Sequence, residues 1–366
     1  MSRSAARRPG AVLALFLASL AAALAAAEFF LRWLEPPAAS RILYPCVYEP
    51  DAELGFRYRA GASGRVAGHF EIDNPVELNS LGFYDAEPLD ADEVDLRVLA
   101  VGDSFTAAMN VPRPDVWTAV LESELRRHGH PRADVVNLGI DGTGSDVHLA
   151  LLRRYVPRFR PDVAIVAFFA NDVDDVLDGR FARECHAGYV LAYQTRAQRD
   201  ALRARVDAHL ERSALRWAFE RSYLVRLALN LAQGPHNLFR LGFVAPRRAE
   251  LERGPRVLAR RRLALRRSFE GLEALGRDCA CRLLIVPVPA RRDLAASLRV
   301  LQSQIGSLEL EVVDVLPHMV RALERDGRAP SDLFFVHDNH LNAYGNRLFG
   351  WAVARALGVD RAPGGQ

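Results

Sequence analysis

The alternation of apolar and polar positions separates an apolar amino-terminal run from a body in which strand-like and helix-like patterns follow one another. The run covers 11–27 with Ser19 as its one mildly polar residue, resumes after Glu28 and ends before Pro36. A helix of about 20 apolar residues spans the hydrocarbon layer of a bilayer. Segment 1–35 is therefore predicted to be a transmembrane signal anchor or a signal peptide.

The flanks of this run leave both interpretations open. Arg3, Arg7 and Arg8 precede it and favour a cytoplasmic amino terminus, with the rest of the chain outside the cytoplasm. The small residues 25–27 also suit cleavage of a signal peptide. We favour the retained anchor, because the apolar character continues past 27 and Trp33 would suit the membrane interface.

The body carries compact apolar segments of the kind expected for strands that are covered on both faces. Helical patterns lie between these segments, and strands that alternate with helices form βαβ units and a parallel sheet. The sequence therefore predicts an α/β domain over 96–360. Its predicted strands are 97–101, 134–138, 163–170, 282–288 and 311–315, and its predicted helices are 116–128, 146–155 and 340–357.

Two segments depart from this pattern. Segment 36–95 is rich in Gly, Pro, Asp and Glu, with short pieces such as 68–72 that have strand character, and it is predicted to be a linker and a small irregular β-rich cap. Segment 178–277 is rich in Arg and has apolar residues at helical spacing, among them Leu202 and Val206. It is predicted to be a helical insertion that covers one edge of the core or acts as a lid.

Composition narrows the classes of protein that remain. At 366 residues with 50% hydrophobic and 25% charged residues, the chain has the composition of a folded protein. A net charge of +3 argues against a nucleic-acid partner that would need a large basic field. All 48 basic residues are Arg. The absence of Lys excludes Schiff-base chemistry, a phosphate-loop lysine and a Ser-Lys dyad.

Ser104 is the best candidate for a nucleophile. It follows the predicted strand 97–101 within the sequence Gly102-Asp103-Ser104, at the carboxyl end of a strand where parallel-sheet proteins present their ligands. Gly102 permits a tight turn, and a helix that begins nearby would direct backbone N–H groups at an anion. A serine hydroxyl needs a base that accepts its proton and an acceptor that holds the base in the correct tautomer.

His340 and Asp338 are predicted to supply that base and its partner. They lie in the segment Asp338-Asn339-His340-Leu341-Asn342, directly before the predicted terminal helix. A carboxylate so close in sequence can reach the imidazole N–H from the same loop. His337 and Asp332 are near enough to be alternatives for the two roles.

Three groups are candidate donors to the oxyanion that forms during acyl transfer. They are the backbone N–H of Ser104, the backbone N–H of Gly142 and the side-chain amide of Asn171. Each follows a different predicted strand, so all three are expected at one edge of the sheet. The predicted site thus comprises Ser104, Asp338 and His340 with an oxyanion hole of Ser104, Gly142 and Asn171.

No pattern in the chain predicts a cofactor or a metal ion. The acidic cluster Asp172, Asp174, Asp175 and Asp178 lacks the glycine and distal Glu of a calcium loop, so it is interpreted as solvated loop charge. The glycines that follow strand 134–138 do not have the dinucleotide-binding spacing. The cysteines, Cys46, Cys185, Cys279 and Cys281, fit no metal motif and are interpreted as thiols or, in an exported chain, as disulfides of unassigned connectivity.

Four blocks of the sequence, in order, resemble those of the SGNH (GDSL-type) hydrolase superfamily. They are Val101-Gly102-Asp103-Ser104-Phe105-Thr106, Asn137-Leu138-Gly139 through Gly142, Ala170-Asn171-Asp172, and Asp338-Asn339-His340-Leu341-Asn342. The resemblance covers about 96–175 and 280–358, and segment 79–85 is similar to a lead-in of membrane-anchored bacterial members. It implies a flavodoxin-like three-layer α/β/α fold without metal, in which these blocks supply the serine, the oxyanion donors and the aspartate and histidine.

Three positions depart from the pattern of this superfamily. Ala108 and Phe169 stand where glycine is frequent, which bears on the width of the pocket beside Ser104. The aspartate lies two residues before the histidine rather than three. This spacing looks more like that of members that modify O-acetyl groups of envelope polysaccharides.

The resemblance implies a serine esterase of the cell envelope that hydrolyses acyl or acetyl esters through an acyl-serine intermediate. The alternatives are an O-acyltransferase that uses the same triad and a catalytically inactive anchored binding protein. The expected partners are an ester-bearing lipid or an O-acylated glycan, and a membrane through the amino-terminal helix. The expected location is the bacterial inner membrane with the catalytic domain on the periplasmic side, or secretion after signal cleavage.

Overall fold

The computed structural model describes residues 9–176, 181–233, 243–244 and 255–358. The strands in chain order are β1 (Tyr48–Asp51), β2 (Gly55–Tyr58), β3 (Ser63–Gly68), β4 (Ile72–Glu77), β5 (Leu96–Gly102), β6 (Ala133–Asn137), β7 (Val163–Phe168), β8 (Ala182–His186), β9 (Tyr189–Tyr193), β10 (Phe243–Val244), β11 (Arg282–Pro287) and β12 (Glu311–Val312). The helices are α1 (Pro9–Leu34), α2 (Ser104–Ala107), α3 (Trp117–Arg127), α4 (Ser145–Phe159), α5 (Asp172–Asp175), α6 (Arg196–Leu210), α7 (Ser213–Arg221), α8 (Tyr223–Gln233), α9 (Pro255–Asp278), α10 (Ala296–Ile305), α11 (Leu316–Arg325) and α12 (Ala343–Ala356).

The centre of the fold is a five-stranded parallel sheet in the order β12-β11-β7-β5-β6. Consecutive residues of β5 face opposite sides of this sheet, because side chains alternate along a strand. Val98 and Ala100 pack into one apolar cluster with α3, α11 and α12, whereas Leu99 and Val101 pack into another with α4 and α9. The predicted α/β fold with a parallel sheet flanked by helices is confirmed.

Strand order decides where the site can form. Strands β6, β5 and β7 are neighbours, and the loops after them carry Gly142, Ser104 and Asn171. Because parallel strands present their carboxyl ends at the same edge, these loops lie side by side. The predicted strands and helices of this domain are present with small shifts of their ends, and the last predicted strand is reduced to β12.

Segment 36–95 forms two antiparallel pairs, β1 with β2 and β3 with β4. The predicted strand at 68–72 is wrong, because Gly68 ends β3, Ile72 begins β4 and residues 69–71 form the turn between them. His69 and Phe70 adopt left-handed backbone angles there, with φ of 52° and 63°. Phe56 and Tyr58 of β2 are almost completely buried within the same apolar cluster as β5, so this cap is part of the core.

The insertion is partly helical, as predicted, with helices α6, α7, α8 and α9. It begins, however, with a β-hairpin that the sequence analysis did not predict. Strands β8 and β9 pair antiparallel across a turn at Ala187 and Gly188, both with positive φ. All of β9 is buried, which explains why its apolar run forms a strand. Asp178 and the parts of the insertion at 177–180, 234–242 and 245–254 lie outside the described residues.

The amino-terminal helix α1 is long and apolar enough to cross a membrane over Gly10–Leu34, and none of its most apolar window is buried. A cleavable signal sequence has the same properties. Near its end, Glu28 accepts hydrogen bonds from the Ser222 hydroxyl and from the N–H groups of Tyr223 and Leu224, at 2.8 to 2.9 Å. These bonds satisfy the first N–H groups of α8. The insertion therefore contacts the candidate membrane helix directly.

All four cysteines are paired. Cys46, which precedes β1, is bonded to Cys185 of β8, and Cys279 is bonded to Cys281. The first disulfide joins the cap to the hairpin of the insertion across 139 residues of chain. Of the two interpretations of the cysteines, the structure therefore supports disulfides, which persist in oxidising compartments.

Candidate active site

Ser104 lies at the first turn of α2, directly after β5. Asp103 caps this helix, since its Oδ1 accepts a hydrogen bond from the Phe105 N–H at 2.9 Å. A Cβ on Gly102 would lie 2.1 Å from Oγ1 of Thr106, so glycine alone permits the helix to fold back against the strand. The local sequence thus fixes the serine at the sheet edge, with its side chain partly exposed.

The structure brings the three residues of the predicted triad into one hydrogen-bonded chain. Ser104 Oγ lies 2.8 Å from Nε2 of His340, although 236 residues separate them in sequence. Nδ1 of the same ring is hydrogen-bonded to Oδ1 of Asp338, and Oδ1 also accepts the His340 backbone N–H at 2.8 Å. The neutral tautomer with its proton on Nδ1 satisfies both contacts and leaves Nε2 as the acceptor for the serine proton.

The charge of the triad residues follows from this arrangement. Burial opposes a charged imidazole, but the hydrogen bond and the charge of Asp338 outweigh it and raise the pKa of His340 above its usual value. In turn, burial opposes ionisation of Asp338, while the hydrogen bond with His340 prevails and lowers the pKa of this carboxyl. The pair therefore favours an ionised carboxylate beside a ring that readily accepts a proton.

The loop that carries Asp338 is held by two long side chains from other parts of the fold. Both carboxylate oxygens of Glu71 accept backbone N–H groups, those of Val336 and His337, each at 2.6 Å. Arg291 donates to the carbonyl oxygen of Val336 at 2.6 Å. Glu71 belongs to the turn between β3 and β4, so the cap supports the acidic end of the triad.

The two alternatives for the triad roles have other contacts. Asp332 accepts the N–H of Ala329 at 3.1 Å and thereby closes a helical turn at 330–333. His337 is exposed, and its ring lies 5.9 Å from that of His69, measured between ring centroids. Neither residue joins the chain from Ser104 to Asp338.

Gly142 follows β6 with a φ of +64°, a left-handed conformation that glycine adopts without strain. The residue before it, Asp141, is surrounded by polar groups from outside the sheet. Its carboxylate accepts hydrogen bonds from the hydroxyls of Tyr48 and Tyr58, and its backbone N–H donates to the Tyr58 oxygen at 2.8 Å. Arg183 of β8 forms an ion pair with the same carboxylate at 3.2 Å. The loop is thus fixed by the cap and the insertion.

Asn171 reaches the same sheet edge, but its amide is engaged by a carboxylate. Nδ2 donates to Oδ2 of Asp175 at 2.8 Å. An oxyanion would have to compete with this carboxylate for the amide protons. Its role as an oxyanion donor stays a prediction, as do the roles of Ser104 and Gly142.

The interpretation of the acidic cluster as solvated charge is wrong for Asp172. This residue is fully buried, and its Oδ2 accepts the Phe169 N–H at 3.0 Å, which closes the turn before α5. Burial, followed by the charge of Asp103, raises the pKa of Asp172 well above its usual range. Burial also raises the pKa of Asp103 to about 6. Burial thus shifts the pKa of both carboxyls upward, in the loops that follow β5 and β7.

Aromatic side chains form one wall beside the triad. The ring of Phe105 lies 4.8 Å from the ring of His340 and 4.1 Å from the ring of Phe169, measured between centroids. Phe169 is one of the departures from the superfamily pattern, and here it fills the space that glycine would leave. Ala108, the other, adopts a left-handed φ of +43° at the end of α2. Phe169 therefore narrows the site from this side.

Sequence reasoning missed the residues that support the site from the cap and the hairpin, namely Tyr48, Tyr58, Glu71, Asp141 and Arg183. Asp141 is adjacent to a predicted site residue, which was the one available signal. The others lie in segments without a recognisable pattern. Among the described residues, no group of three or more His, Cys, Asp or Glu side chains is arranged to hold a metal ion, and the expectation of a metal-free site stays a prediction.

Residues 100–348 match the model of the GDSL-like lipase/acylhydrolase family, and the protein belongs to this family of serine hydrolases and esterases. The match includes all five predicted site residues and the whole of segment 178–277. No curated protein sequence matches the chain.

Solved structures with similarity to the chain include other members of this class. A lipase/acylhydrolase from Enterococcus faecalis is 16% identical over 74% of this chain and 99% of its own, with a TM-score of 0.39. An acetylxylan esterase from Geobacillus stearothermophilus is 15% identical over 74% of this chain and 97% of its own, with a TM-score of 0.38. These similarities are low, so the family assignment depends on the sequence match.

Proposed function

We propose that the protein is a serine esterase of the cell envelope that hydrolyses acyl or acetyl esters through an acyl-Ser104 intermediate. The observation that supports this most strongly is the hydrogen-bonded chain from Ser104 Oγ through His340 to Asp338. Such a chain gives a weak hydroxyl nucleophile the base and the orienting carboxylate that it needs.

In the first half of the reaction, His340 Nε2 takes the proton of Ser104 as Oγ attacks the ester carbonyl carbon. The tetrahedral oxyanion lies against the N–H groups of Ser104 and Gly142, with Asn171 as a further donor once its amide turns from Asp175. Collapse of the intermediate breaks the bond to the alcohol, which leaves with the proton held by His340. Asp338 stays ionised and stabilises the imidazolium ring.

In the second half of the reaction, His340 and Ser104 transfer the acyl group from the serine to water. Water gives a proton to His340 Nε2 and attacks the acyl-serine carbonyl, and the proton then returns to Ser104 Oγ as the free acid departs. A sugar hydroxyl in the place of water would yield an acylated glycan instead. The spacing of Asp338 and His340, which resembles that of members acting on envelope polysaccharides, favours this transferase as the second candidate.

One assay separates the two candidates. The purified chain is incubated with an ester that carries a labelled acetyl group, with and without an envelope glycan as acceptor. Labelled acetate as the main product in both incubations supports the esterase, whereas label on the glycan supports the transferase. A Ser104→Ala variant with unchanged release or transfer of label would refute both. It would leave the inactive binding protein as the remaining interpretation.

The proposed location is the inner membrane, with α1 as a single span and the catalytic domain on the periplasmic side. Support comes from the apolar helix Gly10–Leu34, from the arginines before it and from the disulfide between Cys46 and Cys185, which suits an oxidising compartment. The substrate is then an ester-bearing lipid or an O-acylated glycan. Mass determination of the mature protein tests the anchor, since a new amino terminus at Glu28 would indicate a cleaved signal peptide and a secreted enzyme.

A further inference from the structure

Arg183 is the residue outside the predicted site whose contacts bear most directly on its chemistry. It lies on β8, in the hairpin that opens the insertion, and its side chain is 13% exposed. Its guanidinium stacks on the ring of Phe56, with Cζ 4.0 Å from the ring centroid, and it forms the ion pair with Asp141. A cation with aromatic and carboxylate neighbours is held in one orientation.

The contact that matters most is with the backbone. Nη1 of Arg183 donates to the carbonyl oxygen of Asp141 at 3.2 Å, in addition to the Asp141 carboxylate at 3.2 Å. This carbonyl and the N–H of Gly142 belong to the same peptide group. Since a peptide group is planar and trans, its C=O and N–H point in opposite directions. A donor that fixes the oxygen therefore also fixes the direction of the Gly142 N–H.

The guanidinium also packs against Gly142 itself. A Cβ on this glycine would lie 2.5 Å from Nη2 of Arg183. A side chain at 142 would therefore displace the arginine and break its hydrogen bond to the Asp141 carbonyl.

We propose that Arg183 is a positioning residue, which orients the Gly142 N–H toward the oxyanion by holding the opposite end of the same peptide group. This inference rests on the proposed serine esterase function. The cap and the disulfide between Cys46 and Cys185 also hold the strand that carries Arg183. Cys185 lies two residues after Arg183, and its bond to Cys46 joins β8 to the segment that leads into Tyr48.

The test compares Arg183→Met with a matched control, Arg203→Met, at an arginine of α6 that contacts the same hairpin. Met keeps much of the side-chain volume but cannot donate to the Asp141 carbonyl. Arg203→Met is the control, because Arg203 pairs with Glu184 at 2.7 Å, and Glu184 keeps its hydrogen bond from Tyr193 at 3.0 Å. Arg183→Lys keeps the cation but not the planar fork, so it stays informative if the Met variant does not fold.

Kinetics with a labelled acetyl ester should show a large change in kcat and a small change in KM. We expect kcat to fall about 10²-fold in Arg183→Met, since a small misplacement of a catalytic group costs about that much, and about tenfold in Arg183→Lys. KM should change by less than about threefold, because the contact is used in the transition state. Arg203→Met should keep both constants.

A transition-state analogue separates positioning from a general loss of structure. Trifluoroacetone forms a tetrahedral adduct with an active serine and places an oxyanion where the reaction does. Its inhibition constant should weaken by the same factor as kcat in both Arg183 variants. Equal turnover and equal inhibition in the Arg183 and Arg203 variants would overturn the positioning role. Full turnover of Ser104→Ala in the same series would instead overturn the proposed function on which the inference rests.

Discussion

The two sides of the candidate site are fixed by different parts of the chain. On one side, Ser104 is set by Asp103 and Gly102, and His340 is set by Asp338, all within two residues of the side chain that they support. On the other side, the loop at Asp141 and Gly142 is held by side chains that are 42 to 93 residues away in sequence. The proposed reacting groups thus have partners close to them in sequence, although Glu71 of the cap also holds the loop before Asp338. The proposed oxyanion loop at Gly142 depends on the cap and the hairpin.

This difference separates two kinds of change to the enzyme. Substitutions on the local side remove a reacting group and should abolish the chemistry. Substitutions of Tyr48, Tyr58 or Arg183, which hold the loop at Asp141, leave the triad residues in place and should lower the efficiency of the reaction.

The largest effect is expected from the triad. Ser104→Ala and His340→Ala should each lower kcat by several orders of magnitude, because each removes a group that the others require. The double variant should be no worse than the poorer single variant, since triad members act as a unit. Steady-state kinetics of the three variants tests this, and additive losses would show that the two residues act independently.

Asn171→Ala is expected to lower kcat by about 10²–10³ if its amide donates to the oxyanion. Because this amide is bonded to Asp175 in the structure, Asp175→Asn is the informative companion. The Asp175→Asn substitution weakens the hydrogen bond that competes for the Asn171 amide, so kcat should stay the same or rise. Wild-type kinetics in Asn171→Ala would remove this side chain from the oxyanion hole and leave the two backbone donors.

The two disulfides differ in the length of chain that they close, so removing each one tests how much the link between the cap and the hairpin contributes to the free energy of unfolding. Replacing Cys46 and Cys185 by Ser opens a loop of 139 residues and should cost about 2–4 kcal/mol of unfolding free energy. Replacing Cys279 and Cys281, only two residues apart, should cost much less, because little chain is constrained. Denaturant unfolding of both variants measures this. Equal losses would show that the cap does not depend on its covalent link to the hairpin.

The smallest effect concerns pH. The pKa of His340 is raised, so the ring stays protonated to a higher pH than a free imidazole and acts as a base only above that value. On the acid side, kcat/KM should therefore fall tenfold per pH unit, with a midpoint above about 6.5. Asp338→Asn should move this midpoint down. The free energy of unfolding changes with pH in the opposite direction to the activity. Because folding raises the pKa of His340, its protonated ring stabilises the fold at a pH below the pKa of the unfolded chain. This stabilisation is lost as the pH rises through the pKa of the folded state.

The sheet could be predicted because its strands are continuous apolar runs and their order places the loops after β5, β6 and β7 together. The candidate triad residues could be selected from the sequence because Ser104 follows an apolar strand and Asp338 lies two residues before His340, and the structure places them within hydrogen-bond distance. The hairpin β8–β9 could not, since its strands lie within an Arg-rich segment whose periodicity is helical. Burial of Asp172 was equally hidden, because a turn that needs a buried carboxylate looks like a charged loop in the sequence.

The most direct test of the account is labelling of the intact protein with a fluorophosphonate, followed by mass spectrometry of the modified peptide. An activated serine should be phosphonylated at Ser104, and His340→Ala should abolish this labelling while the protein stays folded. Labelling at another residue, or equal labelling in the His340→Ala variant, would contradict a triad built from Ser104, His340 and Asp338.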